Sequence, residues 1–284
     1  MLRGRCVLVA LVAMLALGVG VAVAGNAYFP QGVASGDPTP EGVVTWTRIV
    51  DPTRPEADLN VTLEVATDPD FTNIVVTKEL VAEAQYDHCV KYWTWGLDAD
   101  TTYYYRFAYD PGDGVVYSRT GRTKTAPPPN ADVPVKFAVV YGQDYVGRYY
   151  NTYAQLLADH PDDLDFIVHI GDYVYETTGD PSFQNPNEDR KIEFEDTAGA
   201  IPLGDPDNPY YAASSLANYR TLYRTYRSDP VLQDVHAMYP MLSIWDDHEY
   251  SNDCWGDVAT YFNGRKDEAD PVRRRHAEQA YMEW

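Results

Sequence analysis

The feature that most limits how this chain folds is a change of hydrophobic period at a run of prolines. Residues 125–130 read Thr-Ala-Pro-Pro-Pro-Asn. Consecutive fixed φ angles make a stiff, extended connector that neither a helix interior nor a central strand tolerates. Before this run, apolar side chains alternate every two residues. After it, short apolar stretches alternate with segments of helical spacing. One architecture does not serve both patterns, so two domains are expected, at residues 25–126 and 135–284, joined by a linker at 127–134.

In the first half, Leu59, Val61, Leu63 and Val65 alternate with Asn60, Thr62 and Glu64, a strand with one wet face. Residues 43–47, 74–77, 89–95, 103–109 and 115–118 read the same way, with Asp-Pro, Pro-Gly and Asp-Gly turns among them. About seven short strands in about 100 residues predict an all-β sandwich. Leu97, Thr101, Tyr103 and Tyr105 near a late strand match the tyrosine corner of fibronectin type III-like sandwiches, so that variety is expected. No chemistry is expected here, and His88 beside Asp87 reads as a surface histidine.

The residues ahead of this half are not expected to join the fold. Arg3 and Arg5 precede an almost wholly apolar stretch at 6–23, and Ala22-Val23-Ala24 has the small side chains of a signal-peptidase site. A general secretory signal, cleaved after Ala24, places the protein in the periplasm or outside the cell, with no membrane span afterwards. Of the three cysteines, Cys89 and Cys254 then remain, and both a bridge and two free thiols stay open. The net charge of −21 excludes nucleic-acid binding through a basic surface, although bound cations would still let an acidic protein hold phosphate compounds.

In the second half, residues 135–140 and 164–170 read as apolar strands, 149–159 as a helix, and 241–245 as a third buried strand. Leu216, Tyr219, Leu222, Tyr223 and Tyr226 recur at helical spacing. This alternation predicts an α/β layer. Residues 177–215 carry five prolines, many acids and no clean period, and read as a long insertion. Its Asn185, Asn187 and Asp189 read as surface groups rather than a calcium site.

Ligands gather at the carboxyl ends of strands in open α/β sheets. One strand here empties into Gly171-Asp172-Tyr173-Val174-Tyr175-Glu176 and another into Asp246-Asp247-His248-Glu249. Acids and phenols crowded at a buried strand end are costly unless cations neutralise them. Hard oxygen ligands suit Fe³⁺, Mn²⁺ or Ca²⁺. Paired metals polarise a phosphate ester and let hydroxide attack at neutral pH, so metal-assisted hydrolysis is the expected chemistry.

The stretches FPQGVASGDPTPEGVVTWTRI (29–49), DFIVHIGDYVYE (165–176) and YRTLYRTYRSDPVLQDVHAMYPMLSIWDDHEYSND (219–253) resemble the PhoD-like alkaline phosphatases of the metallophosphoesterase superfamily. The resemblance implies a fibronectin type III-like sandwich followed by an α/β calcineurin-like metallophosphoesterase domain, here truncated. It also implies an exported alkaline phosphatase or phosphodiesterase carrying two metal ions, Fe³⁺ and Ca²⁺, and acting as a monomer on small or polymeric phosphate esters. By the same resemblance Asp172 bridges the metals, Tyr175 is a phenolate ligand and Asp247 holds the second metal. His248 would stabilise the transition state or protonate the leaving group, Asp246 would support the ligand beside it, and Tyr173 would merely pack.

Two departures qualify this resemblance. Gly142 stands where the family has a cysteine ligand, leaving the iron site one ligand short unless Asp144 or water substitutes. The charged helix expected at 271–284 ends with Tyr281 and Trp284 still needing cover, and the family's remaining ligands have no counterpart. A piece of a longer product, inactive by itself and exposing apolar sheet surface, is therefore expected. The rival reading is a secreted binding module whose α/β half is degenerate.

Overall fold

The computed structural model describes residues 27–187, 189–259 and 268–284. The expected signal segment, with Cys6 and the site after Ala24, lies outside the described residues.

The first half is built from β1 (Val33–Thr39), β2 (Gly42–Arg48), β3 (Leu59–Ala66), β4 (Ile74–Ala82), β5 (Cys89–Trp95), β6 (Thr102–Tyr109), β7 (Val116–Tyr117) and β8 (Gly121–Lys124). One antiparallel sheet runs β1-β2-β5; the other runs β4-β3-β6, with β7 and β8 both paired to β6. Period-two alternation decides which side chains face inward. Leu59, Val61, Leu63 and Val65 of β3 and Tyr103, Tyr105, Phe107 and Tyr109 of β6 are all buried in one core. The register sets Leu63 opposite Phe107 and Val65 opposite Tyr105. Tyr103 Oη accepts the Asp98 N–H at 2.9 Å, tying the turn before β6 to its strand.

His88 is not a surface residue. It is buried, with Nε2 2.9 Å from the Ala57 carbonyl. Asp87 is buried beside it because two arginines neutralise it: Arg48 Nη2 at 3.0 Å, and Arg224 through Nε at 2.9 Å and a second, shorter contact.

The second half contains β9 (Phe137–Val140), α1 (Asn151–Asp159), β10 (Phe166–His169), β11 (Ile201–Asp205), β12 (Asn208–Ala212), α2 (Leu216–Tyr226), α3 (Pro230–Met238), β13 (Met241–Ser243) and α4 (Pro271–Glu283). A parallel sheet has the order β13-β10-β9, so the ends of β10 and β13 lie side by side. Helix α2 starts at a capping box formed by Ser215 and Asn218, and it buries Tyr219, Leu222, Tyr223 and Tyr226 at steps of three and four.

Several expectations need correction. The third strand stops at Ser243, and Ile244 beyond it is 56% exposed, so this segment is not a buried strand to Trp245. Residues 177–215 are not a loose insertion: β11 and β12 form a hairpin, and Ile192 and Phe194 enter the α/β core. Asn187 Oδ1 accepts the N–H groups of Asp189 and Arg190 and closes a turn. Cys89 and Cys254 are both free thiols. Phe137 and Val139 do stand on a bare apolar face, about half exposed. Among the described residues, no helix is long and apolar enough to cross a membrane.

Tyr281 and Trp284 find their cover. Tyr281 packs edge-on against Trp245, and Trp284 packs against Trp46 of the sandwich and Tyr223 of α2. Trp46 Nε1 donates to the Glu283 carbonyl at 2.9 Å, and Arg220 grips the Glu283 carboxylate at 2.6 and 2.7 Å. Gly36 of β1 lies so near β13 that a Cβ there would sit 2.7 Å from the Met241 carbonyl oxygen.

Asp87 is the ionic hub of this junction. Burial alone would raise its carboxyl, but the hydrogen bond from Arg224 and the charges of Arg48 and Arg224 hold it below the ordinary range. Asp87→Asn leaves buried Arg48 uncompensated and is expected to cost about 3 kcal/mol at pH 7, read by chemical denaturation. A depressed folded pKa stabilises above the unfolded value of about 4 and loses that stability as pH falls through the folded value. The gap between wild type and variant is therefore expected to be full at neutral pH and to close below about pH 4.

Candidate metal centre

Two loops meet where β10 and β13 end. Gly171 takes φ +100°, and a Cβ on it would lie 2.4 Å from Asp246 Cβ, so only glycine permits this approach. Asp172 follows at φ 55°, a left-handed conformation that turns the chain out of the strand. Glu249, fully buried, holds the loops together. Its carboxylate accepts N–H groups from Tyr173 at 2.5 Å and Asp172 at 3.3 Å on one loop, and from Asp246 at 2.8 Å on the other. Burial lifts its carboxyl to about 7 despite these bonds.

This clamp brings ligand-bearing side chains together. Asp172, Asp247 and His248 each offer a donor atom, and these atoms all lie within 4.8 Å of one another. Among the described residues, Asp172 Oδ1 is buried without a hydrogen-bond partner. Burial, then the nearby Asp247 and Asp246, push its carboxyl up to about 6, against the opposing pull of His248. Tyr175 Oη lies 3.5 Å from Asp172 Oδ2, and burial plus that carboxylate keep the phenol protonated well above its usual value. A phenolate at Tyr175 thus needs a cation beside it.

His248 is held from behind. Its Nδ1 lies 2.8 Å from Glu176 Oε2, and its ring centroid is 4.3 Å from that of Tyr175. Burial alone would lower its pKa; the hydrogen bond and charge of Glu176, with Asp172 and Asp247, reverse this and raise it to about 9. With Nδ1 engaged, Nε2 is the free ring atom.

The structure therefore gathers Asp172, Asp247, His248 and Tyr175. Asp246 is exposed; its backbone N–H is tied to Glu249, while its carboxylate stays on the solvent side. Asp144 is outside the three-residue cluster: Oδ1 accepts the Tyr226 hydroxyl at 2.5 Å, and Tyr226 Oη accepts the Tyr175 N–H at 3.1 Å. Its other oxygen is buried and has no hydrogen-bond partner among the described residues. Gly142 borders the centre, since a Cβ there would be 3.4 Å from Tyr175 Oη and 3.9 Å from Asp172 Oδ2. Glu176 and Glu249 were not singled out from the sequence. Their signal was available, because each is the acid that closes one of the two strand-end motifs, four residues after Asp172 and three after Asp246.

Residues 137–284 match the PhoD-like phosphatase family, and residues 16–127 match the N-terminal domain of PhoD-like phosphatases. The chain belongs to the PhoD-like phosphatase family. It is 35% identical over 265 residues to alkaline phosphatase D of Bacillus subtilis (strain 168), an alignment covering 90% of this chain and 40% of that protein. A solved structure described as "Structure of PhoD" superposes with a TM-score of 0.73 at 33% identity, over 91% of this chain and 46% of the other. The chain thus spans less than half the length of these relatives.

The donor set fits a hard cation: carboxylates already crowded, one oxygen unpartnered, and a phenol whose proton a cation would displace. Titrating Ca²⁺ or Mn²⁺ into the full-length chain is expected to raise its thermal midpoint. Asp172→Asn is expected to abolish that rise, and Asp246→Asn to leave most of it. Thermal melts of chelator-treated protein with and without added metal measure both.

Proposed function

We propose that the full-length protein is an exported, metal-dependent phosphoric ester hydrolase of the alkaline phosphatase D type, acting on phosphomonoesters and phosphodiesters. The observation that carries this reading is the cluster of Asp172, Asp247 and His248 at neighbouring strand ends, in a chain of this family. Asp172, Tyr175 and Asp247 would hold two ions, iron and calcium by the family resemblance, with iron short of one ligand at Gly142. Bound ions supply Lewis-acid polarisation of the ester and acidify the attacking water.

The chain's own residues do the rest. Glu249 fixes the spacing of the two loops. Glu176 sets the ring of His248 and favours its charged form, so that Nε2–H is ready to stabilise developing charge or to protonate the leaving oxygen. Asp246, on the solvent side, adds negative field beside Asp172. The sandwich, of fibronectin type III-like type, and the α/β part would be two domains linked in the chain by residues 127–134. Export rests on the Arg-flanked apolar leader ahead of Gly25. The missing thiolate at Gly142 favours a second reading, a secreted binding module with an inactive α/β half.

Turnover separates the two. Full-length protein supplied with iron and calcium is expected to hydrolyse p-nitrophenyl phosphate and bis-p-nitrophenyl phosphate, and chelation to stop it. Asp172→Asn should bring the rate to background; unchanged turnover in that variant defeats the assignment. Glu176→Gln is expected to lower kcat by about tenfold to a hundredfold with little change in KM, as for other groups that orient a reactive side chain from behind.

A further inference from the structure

Phe183, in the segment 177–215, turns its ring back toward the candidate centre. Its centroid lies 5.5 Å from that of Tyr175 and 5.7 Å from that of His248. Tyr175 and His248 are themselves 4.3 Å apart, so the three rings form one cluster. Phe183 is half-buried. Among the described residues it packs against neither hydrophobic core, unlike Ile192 and Phe194 of the same segment.

The backbone that carries this ring is tightly held. Gln184 beside it is buried, and its side-chain amide closes a loop. Oε1 accepts the Thr177 hydroxyl at 2.9 Å and the Asp180 N–H at 2.8 Å, while Nε2 donates to the Thr177 carbonyl at 3.2 Å. The Asp180 carbonyl accepts the N–H groups of Gln184 at 2.7 Å and Phe183 at 3.3 Å. From outside the loop, Arg148 Nη2 donates to the Phe183 carbonyl at 2.5 Å. Buried amides bonded this fully are costly to displace. Thr177 directly follows Glu176, which holds His248 from behind, so the ring and the imidazole are anchored to one short stretch of chain. All of these contacts lie within residues 148–248 and involve nothing of α4.

Core burial does not explain a phenyl ring fixed so firmly at the edge of the centre. On the hydrolase reading, His248 serves the oxygen that leaves, and the carbon borne by that oxygen must pass beside the rings around His248. The Tyr175 hydroxyl is turned to Asp172, which leaves Phe183 as the wholly apolar member of the cluster. A flat apolar ring gains most from another flat ring, through area buried and through ring geometry.

We infer that Phe183 is a specificity-determining residue that packs on the organic group of a phosphate ester bound at this centre, favouring aromatic over small alkyl groups. The inference rests on the reading of the centre as a phosphate-ester site.

Phenylphosphonate and methylphosphonate, whose carbon–phosphorus bonds are not ester linkages, probe recognition apart from turnover. Isothermal titration of the full-length protein supplied with iron and calcium is expected to show phenylphosphonate binding about tenfold more tightly. Phe183→Ala should weaken phenylphosphonate at least threefold and methylphosphonate less than twofold. Phe183→Trp, which keeps a flat ring, should retain the preference, and it decides the matter if the alanine variant fails to fold. A residue that merely props His248 and Tyr175 would instead move both affinities together, and that result overturns the proposal. Equal binding of the two phosphonates by a wild type that hydrolyses esters would overturn it alone, as would loss of the preference in Phe183→Trp. Binding of neither phosphonate would overturn it together with the phosphate-ester reading.

Discussion

The buried carboxylate of Glu249 is the constraint on which the candidate centre depends. Backbone N–H groups from both strand-end loops converge on it, so the loops cannot separate without stranding an acid in the interior. Its bonds set the distance between Asp172 and Asp247, the Gly171–Asp246 contact follows from that distance, and the crowding that lifts the Asp172 carboxyl is the result. Negative charge has been concentrated on purpose-built backbone rather than scattered on a surface, which is the arrangement a cation site requires.

A second set of polar contacts joins the halves of the molecule. Asp87 and Gln85 of the sandwich meet Arg224 and Arg220 of α2, and Lys91 and Trp46 meet the last carbonyls of α4. Helix α2 also carries Tyr226, whose hydroxyl supports both Tyr175 and Asp144. One helix therefore faces the sandwich on one side and the candidate centre on the other. The proline run between the halves contributes reach; the rigidity of the junction comes from these ionic and aromatic contacts.

Much of this was legible in the sequence because it depends on local period. The alternation in β3 and β6, the helical spacing of the α2 tyrosines, and the emptying of β10 and β13 into Asp172 and Asp247 all follow from neighbours in the chain. What was not legible depends on distant partners. His88 looked exposed because nothing nearby in sequence announces the Ala57 carbonyl that its ring meets, or the Arg48 and Arg224 that let Asp87 be buried beside it. Trp284 looked uncovered because its cover, Trp46, comes from a strand 238 residues earlier. Residues 177–215 looked loose because Ile192 and Phe194 sit among acids and prolines, where two apolar side chains make no period. Glu176 and Glu249 were hidden differently: an acid beside a ligand reads as another surface charge until its partners are known.

The near-contact between Gly36 and the Met241 carbonyl has a consequence for how the chain avoids its own copies. Among the described residues, strand β13 is an outermost member of the parallel sheet, and a strand in that position presents backbone groups that can recruit strands from other molecules. Strand β1 lies against it closely enough that no side chain fits between. At Gly36 the sandwich thus occupies the space beside Met241 that a strand from another molecule would need.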